Sequence, residues 1–297
     1  MTLAAILGTP KTDYPDYLTE SLFLKRIAFN IKNSFKRIAR FLMNYKRSSP
    51  ILALGLGLLL CLALPARAGS VVVAVATNLA APMKVIAQDF ERDTGHTALL
   101  SFGATGNFYA QIRNGAPYGV FLAADDETPA KLEQEGYAVT GSRFTYAQGR
   151  LVLWSKNPKL VDSKGEILSL GRFERIAIAN PKLAPYGAAA IDVITRLGLI
   201  SAIRPKIVEG VNIGQAFQFV ASENAALGFV AMSQVLVGGK ITEGSAWIVP
   251  GTMHTPIRQD AILLNTGKPN AAALSLMAYL KGEKTKRTLR AFGYELP

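Results

Sequence analysis

Residues 71–95 read VVVAVATNLAAPMKVIAQDFERDTG. Val71–Ala76 is a continuous run of small and β-branched residues, the pattern of a strand buried on both faces. From Ala81 to Thr94 the period changes: Met83, Ile86, Ala87 and Phe90 share one helical face, and Gly95 is the stop. A strand feeding a helix through the polar turn Thr77-Asn78 predicts an α/β unit. Downstream the alternation continues, with strands expected at Thr97–Phe102 and Val120–Ala123. Helices are expected at Asn107–Arg113 and at Pro129–Glu135, the latter capped by Thr128. A second series starts at Leu151–Trp154 and runs through Ile176–Ala179, Ala188–Leu197, Lys206–Glu209, Gln215–Ser222 and Leu227–Val230. Strand-like Trp247–Pro250 and Ala261–Leu264 then lead to helices at Ala271–Lys281 and Lys284–Phe292. The fold class is α/β with mostly parallel sheets.

The chain has 297 residues, 49% apolar and 18% charged, enough to bury a sizeable core and to form one large or two ordinary domains. Of the net charge of +12, a share of +7 lies in residues 1–68, so the remainder carries a diffuse +5 with no aromatic-basic motif for nucleic acid. Residues 44–68 have a basic start, an apolar run from Ile51 to Leu64 and the ending Ala66-Arg67-Ala68, the pattern of a cleaved secretory signal peptide. Upstream, residues 22–42 show a basic amphipathic pattern. Met43 as the true start would give a leader of ordinary length. Export through this leader predicts a periplasmic protein. The single cysteine, Cys61, lies inside the leader, behind Leu58-Leu59-Leu60 rather than the small residues a lipid anchor wants.

Four turns leave strands and enter helices directly: Thr77-Asn78, Gly103-Ala104-Thr105-Gly106-Asn107, Pro185-Tyr186-Gly187 and Asn212-Ile213-Gly214. Open α/β sheets bind ligands at strand C-termini, and helix N-termini present unpaired N–H groups and positive dipole ends. With hydroxyl and amide residues and no Lys or Arg, the set reads as a neutral cradle for an anion. Plain N-capping by Thr77, Asn78, Thr105 and Asn212 is the simpler use of each turn alone. Asp125-Asp126-Glu127 reads as a solvated loop and helix cap rather than a metal site. His96 and His254 are too few for a histidine-rich metal centre.

These segments together resemble the molybdate-binding periplasmic component of ABC transporters. The resemblance is carried by Thr77-Asn78 after its strand, Ser101 to Gly106, Ala116-Pro117 with Val120 to Asp125, and Asn180-Pro181 with Ala184 to Gly187. Gly210 to Ala216, Leu227 to Val230 and the closing Ala291 to Tyr294 complete it. It implies a two-lobed type II periplasmic binding protein fold with a two-strand hinge. Lobe I would hold 70–146 plus 256–297, and lobe II 147–255. It further implies capture of molybdate or tungstate by Thr77, Asn78, Thr105, Tyr186 and the backbone N–H of Ile213, with delivery to an inner-membrane ABC permease. Such a chain acts as a monomer, needs no cofactor and is not an enzyme. Three positions depart from the pattern of some members: Thr77-Asn78 stands where they place a serine, Ala231 where they carry a tyrosine, and Tyr118-Gly119 where an aspartate is common.

Sulfate or another tetrahedral oxyanion remains the alternative ligand within this fold. A proton-bearing phosphate would want a carboxylate acceptor, and the four turns have none. An exported hydrolase is the remote alternative, and no Gly-x-Ser-x-Gly elbow supports it.

Overall fold

The computed structural model describes residues 68–297. The leader (all but its last residue), the alternative start and Cys61 lie outside the described residues. Strand β1 (Ser70–Ala76) leads through a 3₁₀ turn (Thr77–Leu79) into helix α1 (Ala80–Thr94). The helix buries Pro82, Met83, Ile86 and Phe90, and it ends where Gly95 adopts φ 74° and donates its N–H to Glu91. Then follow β2 (Thr97–Gly103), α2 (Thr105–Arg113), β3 (Val120–Leu122), α3 (Glu127–Gln134) and β4 (Phe144–Gly149). The second series holds β5 (Leu151–Ser155), α4 (Ile167–Leu170), β6 (Ile176–Ala179), α5 (Pro185–Arg196), α6 (Ile200–Ile203) and β7 (Ile207–Gly210). It continues through α7 (Ile213–Ala221), β8 (Leu227–Ala231), α8 (Met232–Val235), the short pair β9 (Leu236–Val237) and β10 (Lys240–Ile241), and β11 (Ser245–Ile248). The chain closes with β12 (Ile257–Leu263), α9 (Ala271–Leu280) and α10 (Glu283–Ala291).

Two five-stranded sheets result, ordered β2-β1-β3-β12-β4 and β11-β5-β8-β6-β7. In the first, β1 pairs in parallel with β2 and β3, while β12 runs antiparallel to β3 and β4. In the second, β6 lies parallel to both β7 and β8. Each sheet therefore reverses its winding direction once, beside β1 and beside β6. The crevice outside such a switch point is where open α/β sheets take ligands. Alternation along β1 divides lobe I into two packed faces: Val73 and Val75 face Met83 and Phe90, and Ala74 faces Phe108 and Phe121. Lobe II has its own core around Leu151, Leu153, Ile178, Val193 and Phe229.

The chain crosses between sheets twice, forming the hinge. β4 stays paired with β12 as far as Gly149, so the first crossing falls at Arg150, beyond the 146/147 boundary expected above. The return runs from β11 to β12 over residues 249–256. Opposite β12, the register of β4 shifts: Gln259 faces Ala147 and Asp260 faces Thr145, which leaves Tyr146 as the extra residue of a bulge.

Candidate ligand-binding cleft

Helix starts differ from the sequence reading in a consistent way. α2 begins at Thr105 rather than Asn107, α5 at Pro185 rather than Ala188, and α7 at Ile213 rather than Gln215. The candidate residues thus sit in the first turns of their helices, where N–H groups lack intrahelical acceptors. Asn212 is a true N-cap, its side chain accepting the Gln215 N–H at 3.0 Å. Thr77, Asn78 and Thr105 make no such cap, so capping does not account for them.

All five candidates, Thr77, Asn78, Thr105, Tyr186 and Ile213, line one small cavity of about 10 Å³ between the lobes, with Ala104, Ala124, Ala184 and Asn212. No carboxylate and no Lys or Arg lies in that lining. A wider groove beside it is bordered by four carboxylates, Asp125, Asp126, Glu127 and Asp192, against one cation, Lys182, which makes it a poor host for an anion. The lobes touch around the cavity. Gly214 donates its N–H to the Thr77 hydroxyl at 3.3 Å, Gly106 donates to the Leu183 carbonyl at 2.9 Å, and Ser233 donates to the Asn78 carbonyl at 2.7 Å.

Hydrogen bonds at each side chain decide what it can offer. Thr105 Oγ1 accepts the Ala124 N–H at 3.0 Å, which leaves its own hydrogen free for the cavity. Tyr186 accepts from Gln259 Nε2 at 3.1 Å and keeps its hydrogen likewise. Asn78 is different. Its amide donates inward, to Gln259 Oε1 at 2.8 Å and to the Tyr294 hydroxyl at 3.0 Å. What Asn78 retains for an anion is its backbone N–H, in the first turn of a helix, as at Ile213. Its Oδ1 is buried with no partner among the described residues.

Burial pushes the Tyr186 and Tyr146 phenols well above the ordinary tyrosine value and Tyr294 up to about 12, so all three stay neutral and protonated. The sequence reading missed Tyr146, Ser233, Gln259 and Tyr294, which meet beneath the cavity. The one local signal was Arg258-Gln259-Asp260, three consecutive polar residues in an otherwise apolar strand, of which Gln259 and Asp260 are fully buried.

The acidic run is only partly solvated. Asp125 is half-buried, and its carboxylate, not Thr128, caps α3, accepting the Thr128 N–H at 2.9 Å and hydroxyl at 3.0 Å. Burial raises its pKa to about 6, against the lowering effect of those bonds, and Glu127 and Asp126 add to the rise. The folded state therefore holds a proton that the unfolded chain releases near pH 4. Stability falls as pH rises from about 4 to 6 and then levels, by at most about 3 kcal/mol. Asp125→Asn, neutral throughout, is expected to flatten that slope in urea unfolding at pH 4, 5, 6 and 7. Parallel slopes for variant and parent would refute the assignment.

Comparison with known proteins agrees with this geometry. The sequence profile of the bacterial extracellular solute-binding protein family matches residues 71–295. The molybdate-binding protein ModA of Azotobacter vinelandii is 57% identical over 254 residues, covering 86% of this chain and 100% of that protein. ModA of Rhodobacter capsulatus is 50% identical over 242 residues, covering 82% and 94%. Among solved structures, the Azotobacter vinelandii periplasmic molybdate-binding protein superposes with a TM-score of 0.74 at 44% identity, covering 76% of this chain and 99% of that one.

Proposed function

The chain belongs to the bacterial extracellular solute-binding protein family, and we propose that it captures molybdate in the interlobe cleft and delivers it to an ABC permease. The observation that carries the reading is the convergence of four helix N-termini, two from each lobe, on one cavity without carboxylates or cations. Each N-terminus presents about half a positive charge, so four of them roughly balance a dianion without a counter-ion that would hold it too firmly for release. Thr77, Thr105 and Tyr186 supply hydroxyl donors, and Asn78 and Ile213 supply backbone N–H groups. The two relatives named molybdate-binding protein support the choice of anion.

Tungstate has the same charge and tetrahedral form and is taken as a second ligand. The protein works as a monomer in the periplasm, exported by the leader at 44–68, and catalyses no reaction. A ligand spanning both lobes interacts best with the closed form, and that differential affinity drives closure.

Calorimetry of the purified protein against molybdate, tungstate, sulfate and phosphate tests this directly. Binding at 1:1, far tighter for the first two anions, is the expected result. Sulfate matching molybdate would reassign the ligand, and phosphate binding best would overturn the argument from the missing carboxylate.

A further inference from the structure

Gln259 is fully buried in β12, beside the bulge at Tyr146. Bulges re-aim side chains, and here the Gln259 amide meets Asn78 and Tyr186, two of the residues that line the cavity. Its Oε1 accepts from Asn78 Nδ2 at 2.8 Å, and its Nε2 donates to the Tyr186 hydroxyl at 3.1 Å; the Tyr146 hydroxyl lies 2.9 Å from Oε1 but has a competing acceptor in the Ala123 carbonyl at 2.8 Å. The orientation of this amide is not free. Turning it over would set its NH₂ against that of Asn78. The Asn78 amide is itself fixed, because the Tyr294 hydroxyl donates to the Asn78 backbone carbonyl at 2.8 Å and so receives Nδ2 as an acceptor.

Donation therefore runs one way, from Asn78 to Gln259 to Tyr186. A phenol has one hydrogen to give. With its oxygen already accepting from Gln259, Tyr186 directs that hydrogen to the cavity it lines. With the amide reversed, Oε1 would take the hydrogen and present the anion with an oxygen lone pair.

We propose that Gln259 is a positioning residue for oxyanion binding, which sets Tyr186 as a donor rather than an acceptor toward the ligand. This rests on the reading of Tyr186 as a molybdate donor. The titratable groups nearest position 259 are the phenols of Tyr146, Tyr186 and Tyr294, all kept neutral by burial. Asp260 pairs with Arg143, and Asp125 lies beyond the cavity wall.

The test uses Gln259→Glu, with molybdate affinity taken relative to the parent at each pH. At pH 8.5 an ionised carboxylate at 259 takes the phenolic hydrogen and repels the dianion, and affinity is expected to fall at least about 100-fold. A buried carboxyl protonates well above its ordinary value, and a protonated Glu accepts with one oxygen and donates with the other, as Gln does. At pH 6 the deficit is therefore expected to shrink to within about 10-fold. A purely structural role would leave the ratio unchanged with pH, and that result overturns the proposal.

Gln259→Met provides a second arm that depends on no buried charge. It is expected to weaken binding about 10-fold in the parent and less than about 2-fold in a Tyr186→Phe background, since the group it positions is then gone. Equal losses in both backgrounds overturn the proposal while leaving the Tyr186 assignment intact. Parent-like binding by Tyr186→Phe alone would remove both.

Discussion

Thr105→Val and Tyr186→Phe are each expected to weaken molybdate binding by about 10- to 150-fold. The two hydroxyls approach the cavity from opposite lobes, each with its oxygen occupied by a protein donor and its hydrogen unspent. A hydrogen bond to a charged partner contributes about 1.5–3 kcal/mol, and each 1.4 kcal/mol is a factor of ten in affinity. Both substitutions preserve shape, so the loss is that of the donor.

Both side chains are buried although they stand in the first turns of their helices: Thr105 is 2% exposed and Tyr186 1%. Some loss of stability accompanies the loss of affinity. Valine leaves the buried Ala124 N–H without its acceptor, at a cost of about 1–3 kcal/mol, and phenylalanine leaves the Gln259 amide short of one acceptor at a similar cost. Calorimetry and urea unfolding on the same samples separate the two effects. Asp126→Asn serves as the control, because Asp126 lies in the groove outside the anion cavity and meets Arg258 at 3.6 Å. Parent-like molybdate binding by both hydroxyl variants, with binding lost in Asp126→Asn, would move the site into that groove.

The succession of strands and helices was legible because β1 is continuously apolar and α1 repeats at helical period before a left-handed Gly95. Helix starts were read two or three residues late at Thr105, Pro185 and Ile213, for one physical reason. A first helical turn needs no apolar periodicity, and it tolerates proline because its N–H groups are unpaired in any case. β4 was not read at all. Its sequence, FTYAQG, bends at a bulge and ends on glycine, so it shows no clean alternation.

The turns that hold the candidate residues were legible because each is a local motif. The network beneath them was not, since Asn78, Tyr186, Gln259 and Tyr294 are joined by contacts 73 to 216 residues apart. No spacing rule reaches that far. Only the sheet order, which sets β12 between β3 and β4, brings Gln259 under the cavity.

The role of that network makes Gly149, at the end of β4, the position where one methyl group should do most harm to binding. A Cβ built there would overlap the Tyr186 hydroxyl and the Gln259 amide nitrogen, and would lie 2.9 Å from Tyr186 Cζ. Gly149 does not have a left-handed φ, so an alanine would meet no backbone strain. The displaced atoms are the ends of two side chains, which can swing aside and let the fold survive. In swinging they abandon the donor geometry at the cavity.

Gly149→Ala is therefore expected to weaken molybdate binding at least about 100-fold while costing about 1–3 kcal/mol of stability, the ordinary range for an overpacked methyl. Gly187 in α5 provides the contrast. A Cβ there would strike the carbonyl oxygen of Ala179 and lie 2.8 Å from its carbonyl carbon, at the end of β6. Backbone cannot swing aside, so Gly187→Ala is expected to lose about 3 kcal/mol or more of stability in urea unfolding. If Gly149→Ala binds molybdate as the parent does, the hydroxyl and amide it displaces do not hold the ligand.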